Sequence, residues 1–71
     1  MTIGEKLRGL REDRDLNQSE IGKLLHMGQK KISRIENNIQ PITAEELKSF
    51  CILYNISADW ILELPKTIKR K

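Results

Sequence analysis

Residues 16–38, LNQSEIGKLLHMGQKKISRIENN, hold two short apolar stripes separated by a three-residue break. Asn17 can cap a first helix, with Glu20 three residues on to complete a capping box. Ile21, Leu24 and Leu25 then recur at helical spacing, His26-Met27-Gly28 interrupts, and Ile32 and Ile35 form a second stripe. Between the apolar positions of the second segment lie Gln29, Lys30, Lys31, Ser33 and Arg34, and no acidic residue follows Met27 until Glu36. The pattern demands two short helices meeting at a tight turn, the second with a basic, polar outer face.

The same logic extends over the whole chain. Thr2 with Glu5 is a capping box, and Ile3, Leu7 and Leu10 form an apolar stripe, which predicts helix one from Thr2 to Arg14. Helix two is expected over Gln18 to Leu25 and helix three over Gln29 to Asn37, with Asn38 suited to a left-handed stop. Pro41 breaks the loop from Ile39 to Ile42. Thr43 with Glu46 opens helix four, which carries Leu47, Phe50, Cys51 and Tyr54 on one face until Asn55 stops it. Ser57 caps a last short helix through Leu62. No strand alternation, repeat or low-complexity segment interrupts this. The expected fold is all-α, a compact bundle of about five short helices. One domain covers residues 1–65, and residues 66–71 form a basic, mobile tail.

Composition limits the function classes. A chain of 71 residues suffices for one small domain, which buries only about 60% of its unfolded surface. One cysteine rules out an internal disulfide framework and fits a reducing, cytoplasmic setting. The apolar runs are too short for a membrane span, and no secretory signal opens the sequence. One histidine and one cysteine cannot supply a Ser/His/Asp or Cys/His set or a metal cluster. No catalytic residues, metal site or cofactor are therefore expected. Net charge is +3, but four basic residues sit in the tail, and residues 1–65 carry 9 basic against 10 acidic side chains. Overall charge is thus weak support for a nucleic-acid partner. Its distribution is better support, since positive charge gathers at Arg8, Arg11, Lys30, Lys31 and Arg34 while residues 41–65 hold one lysine against Glu45, Glu46, Asp59 and Glu63.

A helix, a tight turn and a basic-polar second helix is how a helix-turn-helix presents its recognition helix to the DNA major groove. Gln29, Lys30, Lys31, Ser33 and Arg34 are the candidate base-reading set. Arg or Lys would favour guanine O6 and N7, and Gln would favour adenine N6 and N7. The competing reading is an ordinary solvated helix face, against which the missing acidic residues count. Gly22 lies inside the apolar pattern, where two steeply crossing helices need a small side chain.

The chain resembles the helix-turn-helix domain of the phage Cro and CI repressors and their small bacterial relatives, a lambda-repressor-like DNA-binding domain. The resemblance runs from about Ile3 to Leu64. It rests on Leu7 and Arg11 in helix one, Leu16-Asn17-Gln18 opening helix two, and Ile21-Gly22 within it. It continues through Ile32, Arg34, Ile35 and Glu36 in helix three, then Pro41 and the segment Ile56-Ser57-Ala58-Asp59-Trp60-Ile61-Leu62. The family places glycine where His26 stands, because that position needs a positive φ, which histidine also tolerates. The resemblance implies that Arg11 lies beside Glu36 and reaches a phosphate. It also implies phosphate contacts at Asn17 and Gln18, at the start of helix two, and at Asn37 and Gln40.

Ile52 and Leu53 fall off the helix-four stripe, and with Trp60 and Leu64 they form a candidate dimer patch or, equally, ordinary cover for a small core. The function these features imply is sequence-specific binding of double-stranded DNA by a homodimeric transcriptional repressor. Two alternatives remain open. One is an antitoxin-type or other protein-interaction module with a protein partner. The other is the DNA-binding domain of a longer chain, such as a full repressor or a recombinase.

Overall fold

A computed structural model describes residues 1–62. Leu64, offered for the dimer patch, and the basic tail at 66–71 lie outside the described residues. Five helices follow one another: α1 (Ile3–Asp13), α2 (Gln18–Leu25), α3 (Gln29–Glu36), α4 (Ala44–Tyr54) and α5 (Ala58–Leu62). The architecture is all-helical, and no strand occurs among the described residues.

Each boundary has a local chemical cause. Thr2, Asn17 and Thr43 each accept from the backbone N–H three residues on, and Glu5, Glu20 and Glu46 return a bond to the cap residue's own N–H. These reciprocal boxes satisfy two orphan donors at each helix start. Helix ends use left-handed residues: His26 at φ 56, Asn38 at φ 60 and Asn55 at φ 55. Asp15 also adopts φ 53, in the link between α1 and α2. All four belong to residue types that enter this region at low cost. Helix three stops at Glu36, and Asn37, expected inside it, is its C-cap instead.

The core consists of Leu7, Ile21, Ile32, Ile35, Leu47, Phe50, Tyr54 and Ile61, drawn from all five helices. Two sequence expectations need correction. Leu24, assigned to the apolar stripe of α2, is 55% exposed; in α2 the buried positions are Ile21 and Gly22. Leu53, expected outside the core face of α4, is half-buried and packs against the core. The α4 face is wider than a single stripe because α5 and the α1 side both lean on it.

Two glycines allow the close crossings. A Cβ on Gly22 would stand 2.6 Å from the Met27 carbonyl oxygen, so the turn can fold tightly over α2 only because that position has no side chain. A Cβ on Gly4 would stand 2.4 Å from the Glu36 carbonyl oxygen and 2.6 Å from that of Ile35. Helix one therefore touches the C-terminal end of α3 backbone to backbone. Asn38 fastens this junction: its Oδ1 accepts from the Gly4 N–H at 3.2 Å and its Nδ2 donates to Thr2 Oγ1 at 2.8 Å.

Lys6 is 6% exposed and donates to the carbonyls of Trp60 and Ile61 at 3.0 and 3.1 Å. A cation at the end of α5 faces the negative pole of that helix. Its ammonium also sits 5.2 Å from the Trp60 ring centroid, so the same lysine draws α5 onto α1 twice. Tyr54 is 1% exposed, and its hydroxyl has no hydrogen-bond partner among the described residues. Burial pushes that phenol up to about 12. A buried hydroxyl without a partner loses hydration and regains nothing, so Tyr54→Phe should leave stability unchanged or raise it by up to about 1 kcal/mol. Urea denaturation measures this, and a loss above about 1 kcal/mol would show that the hydroxyl is bonded.

Candidate nucleic-acid interface

Helix three presents its two sides very differently. Ile32, Ile35 and Glu36 are buried, while Gln29, Lys30 and Arg34 are exposed. The last three stand at the helix start and one turn later, on the face away from the core. Its N-cap, Gly28, makes no side-chain cap bond, so no protein side chain covers the first turn in that way. Ser33 is half-buried and accepts from the Asn37 amide.

The orientation of this helix is fixed by one buried cluster. Arg11 Nε donates to Glu36 Oε2 at 2.8 Å and Arg11 Nη2 donates to Glu36 Oε1 at 3.0 Å. This is the bidentate geometry that makes arginine–carboxylate pairs strong and directional. A third guanidinium bond, Nη1 to the Leu16 carbonyl at 2.9 Å, reaches the segment entering α2. Gln18 Nε2 then donates to Glu36 Oε1 at 3.1 Å. The pair is hardly solvated, with side-chain exposure of 11% for Arg11 and 1% for Glu36. Hydrogen bonding to the Glu36 carboxylate holds the Arg11 guanidinium above its ordinary value. Three helices converge on this carboxylate: α1 through Arg11, α2 through Gln18, and α3 through Glu36 itself. The angle between the first turn of α2 and the outer face of α3 is therefore set internally.

The remaining phosphate candidates occupy mixed positions. Asn17 is exposed, and its Oδ1 caps α2 by accepting from the Glu20 N–H. Gln18 turns its amide nitrogen inward to Glu36. The Asn37 amide donates to the Ser33 carbonyl at 2.9 Å. Gln40 is half-buried, and its backbone N–H donates to the Arg34 carbonyl at 3.3 Å. That bond ties the loop after α3 to the end of the helix.

Lys31 departs most from the sequence-based picture. It is half-buried and forms an ion pair with Glu46, at the first turn of α4. The sequence places these residues fifteen positions apart, on different helices, and no spacing rule joins them. Arg14, which carries no role in the sequence reading, lies over the Tyr54 ring and donates to the Tyr54 carbonyl at 2.7 Å. Gly4, Lys6 and Asn38 were also missed as a group, because their partners lie more than thirty residues away.

Among the described residues, no group of three or more His, Cys, Asp or Glu side chains could hold a metal ion. His26 occupies the left-handed turn position. Burial pushes the Cys51 thiol up, away from thiolate reactivity. No helix among the described residues is long and apolar enough to cross a membrane. Of the dimer candidates, Ile52 is 70% exposed and Trp60 is 51% exposed, while Leu53 faces inward.

A family model described as a helix-turn-helix domain matches residues 2–64. A search of the curated proteins found no match to the chain.

Proposed function

Because the chain belongs to the helix-turn-helix domain family, we propose that it binds double-stranded DNA in a sequence-specific way, as a small cytoplasmic transcriptional repressor of the Cro and CI type. The observation that carries this reading is the outer face of α3. Gln29, Lys30 and Arg34 stand exposed together on a helix whose opposite side is buried and whose far end is locked by Arg11 and Glu36. Side chains that must read base edges need a rigid support, since a small displacement loses bidentate geometry. Ser33 flanks this set. Arg11, Asn17, Gln18, Asn37 and Gln40 surround it and are proposed to hold the phosphate backbone, which fixes register without reading sequence. Gln18 reaches a phosphate by exchanging its bond to Glu36 for one outside.

The active species in this proposal is a two-fold dimer on an imperfect palindrome, with recognition helices about 34 Å apart in successive major grooves. Ile52 and Trp60, both exposed, are proposed for pairing, with Leu64 as a further candidate.

Selection of bound sequences from a random duplex pool, followed by titration, tests the proposal. Gln29→Ala, Lys30→Ala and Arg34→Ala should each weaken the selected site by roughly tenfold, about 1.4 kcal/mol, and affect random duplex less. Equal losses on both duplexes would show that α3 touches only phosphates. A protein that enriches no sequence would remove the DNA reading altogether.

A further inference from the structure

The ion pair between Lys31 and Glu46 has no place in the interface described so far. Lys31 lies in the first turn of α3, beside Gln29 and Lys30, yet its ammonium is directed to the start of α4. We propose that Glu46 is a positioning residue that withholds Lys31 from the DNA phosphates and so limits the affinity of the protein for DNA of any sequence. The inference rests on the DNA-binding function proposed above.

Three features make Glu46 an effective holder. Its carboxylate is fixed before Lys31 arrives, because Oε1 accepts from the Thr43 N–H at 3.0 Å while its own N–H donates to Thr43 Oγ1 at 3.1 Å. A pre-ordered acceptor loses little side-chain freedom on pairing, which is the main cost of a surface ion pair. The Glu46 side chain is only 11% exposed, against 40% for Lys31, so the cation reaches into a partly shielded place. The carboxylate also sits at the positive pole of α4. Hydrogen bonding to Lys31 and to Thr43 holds the Glu46 carboxyl below its ordinary value of 4.5, which favours its charged, accepting form. A phosphate offers Lys31 the same kind of partner that Glu46 already provides. The exchange therefore returns little net free energy, and one cation of the interface contributes almost nothing to binding. The consequence is weaker retention on random sequence during the search for a site, because phosphate contacts act on all sequences alike.

The test compares the wild type with Glu46→Gln, Glu45→Gln, Lys31→Ala and the double variant Lys31→Ala/Glu46→Gln. Each is titrated onto a selected duplex and a scrambled duplex at several salt concentrations. Glutamine also completes a capping box, so Glu46→Gln keeps the start of α4. Glu45→Gln makes the same charge change one residue away, at an exposed position. Glu46→Gln should bind both duplexes more tightly at low salt and steepen the salt dependence by one phosphate contact, about 0.9 in log K per log salt. Its loss of affinity between 50 and 200 mM salt should then be about 3.5-fold larger than for the wild type. Lys31→Ala alone should leave the slope at the wild-type value and should abolish the gain in the double variant. An unchanged slope in Glu46→Gln, or the same gain in Glu45→Gln, overturns the proposal. So does a slope lowered by about 0.9 in Lys31→Ala alone, since Lys31 would then already contact DNA. Wild-type protein that binds neither duplex overturns the DNA function itself, an outcome distinct from all of these.

Discussion

Arg11→Ala should lose about 3–5 kcal/mol of folding stability. Among the described residues, the substitution leaves the Glu36 carboxylate, 1% exposed as a side chain, with the Gln18 amide as its remaining side-chain partner. It also removes the donor to the Leu16 carbonyl. A buried charge deprived of its counter-ion keeps its full desolvation cost, and that cost, more than the lost attraction, sets the size of the effect. Small domains have about 0.05–0.15 kcal/mol of stability per residue, so a loss of this size is a large share of the total. Urea denaturation of the variant measures it directly. A loss under about 1 kcal/mol would mean that the pair behaves as a solvated surface bridge. Arg11 therefore has two roles that a single alanine variant confounds, since weakened DNA binding would follow from unfolding as readily as from a missing phosphate contact. The double variant Arg11→Met/Glu36→Leu separates them. Replacing both members of a buried pair with apolar groups of similar volume is often neutral for stability. That variant should recover folding and remain weak on every DNA sequence.

Two glycines in α1 should respond to alanine with opposite signs. Gly4→Ala should cost about 3 kcal/mol, at the upper end of what overpacking imposes. Its new Cβ would meet two carbonyl oxygens of α3 at 2.4 and 2.6 Å and the Asn38 Oδ1 at 2.7 Å. The two nearest atoms are backbone, so neither can swing aside, and relief requires α1 and α3 to separate. That movement pulls on Arg11 and Glu36, so the loss of packing and the loss of the ion pair are coupled. At Gly9, in the same helix, a Cβ would find nothing within 4 Å. There the intrinsic preference of the helix for alanine acts unopposed, and Gly9→Ala should stabilise by roughly 0.5–1 kcal/mol. Thermal or urea unfolding of the two variants side by side checks the signs. Equal destabilisation by both would show that α1 is held by something other than its close approach to α3.

Most of the helical order is legible in the sequence. Thr2/Glu5, Asn17/Glu20 and Thr43/Glu46 announce helix starts because a capping box is local: the hydroxyl or amide and the carboxylate meet within one turn. His26, Asn38 and Asn55 mark stops because the left-handed region accepts few residue types. Resemblance to a known family added Arg11 beside Glu36, a contact across twenty-five residues that periodicity alone does not supply. Burial was less legible. Leu24 is as apolar as Ile21 but is left 55% exposed, while Leu53 packs against the core.

The sequence by itself thus determined an all-helical chain, where its helices begin and end to within a residue or so, and that α3 carries Gln29, Lys30, Lys31, Ser33 and Arg34 around its apolar positions. These are consequences of hydrogen bonds and side-chain spacing within a turn or two. Only the tertiary structure decided that Gly4 meets the backbone of α3, that Lys6 clamps α5, and that Lys31 is held by Glu46. Each of these depends on how helices pack around a shared core, where a relative rotation of a few degrees selects one partner over another. Local propensity contains no term for that choice.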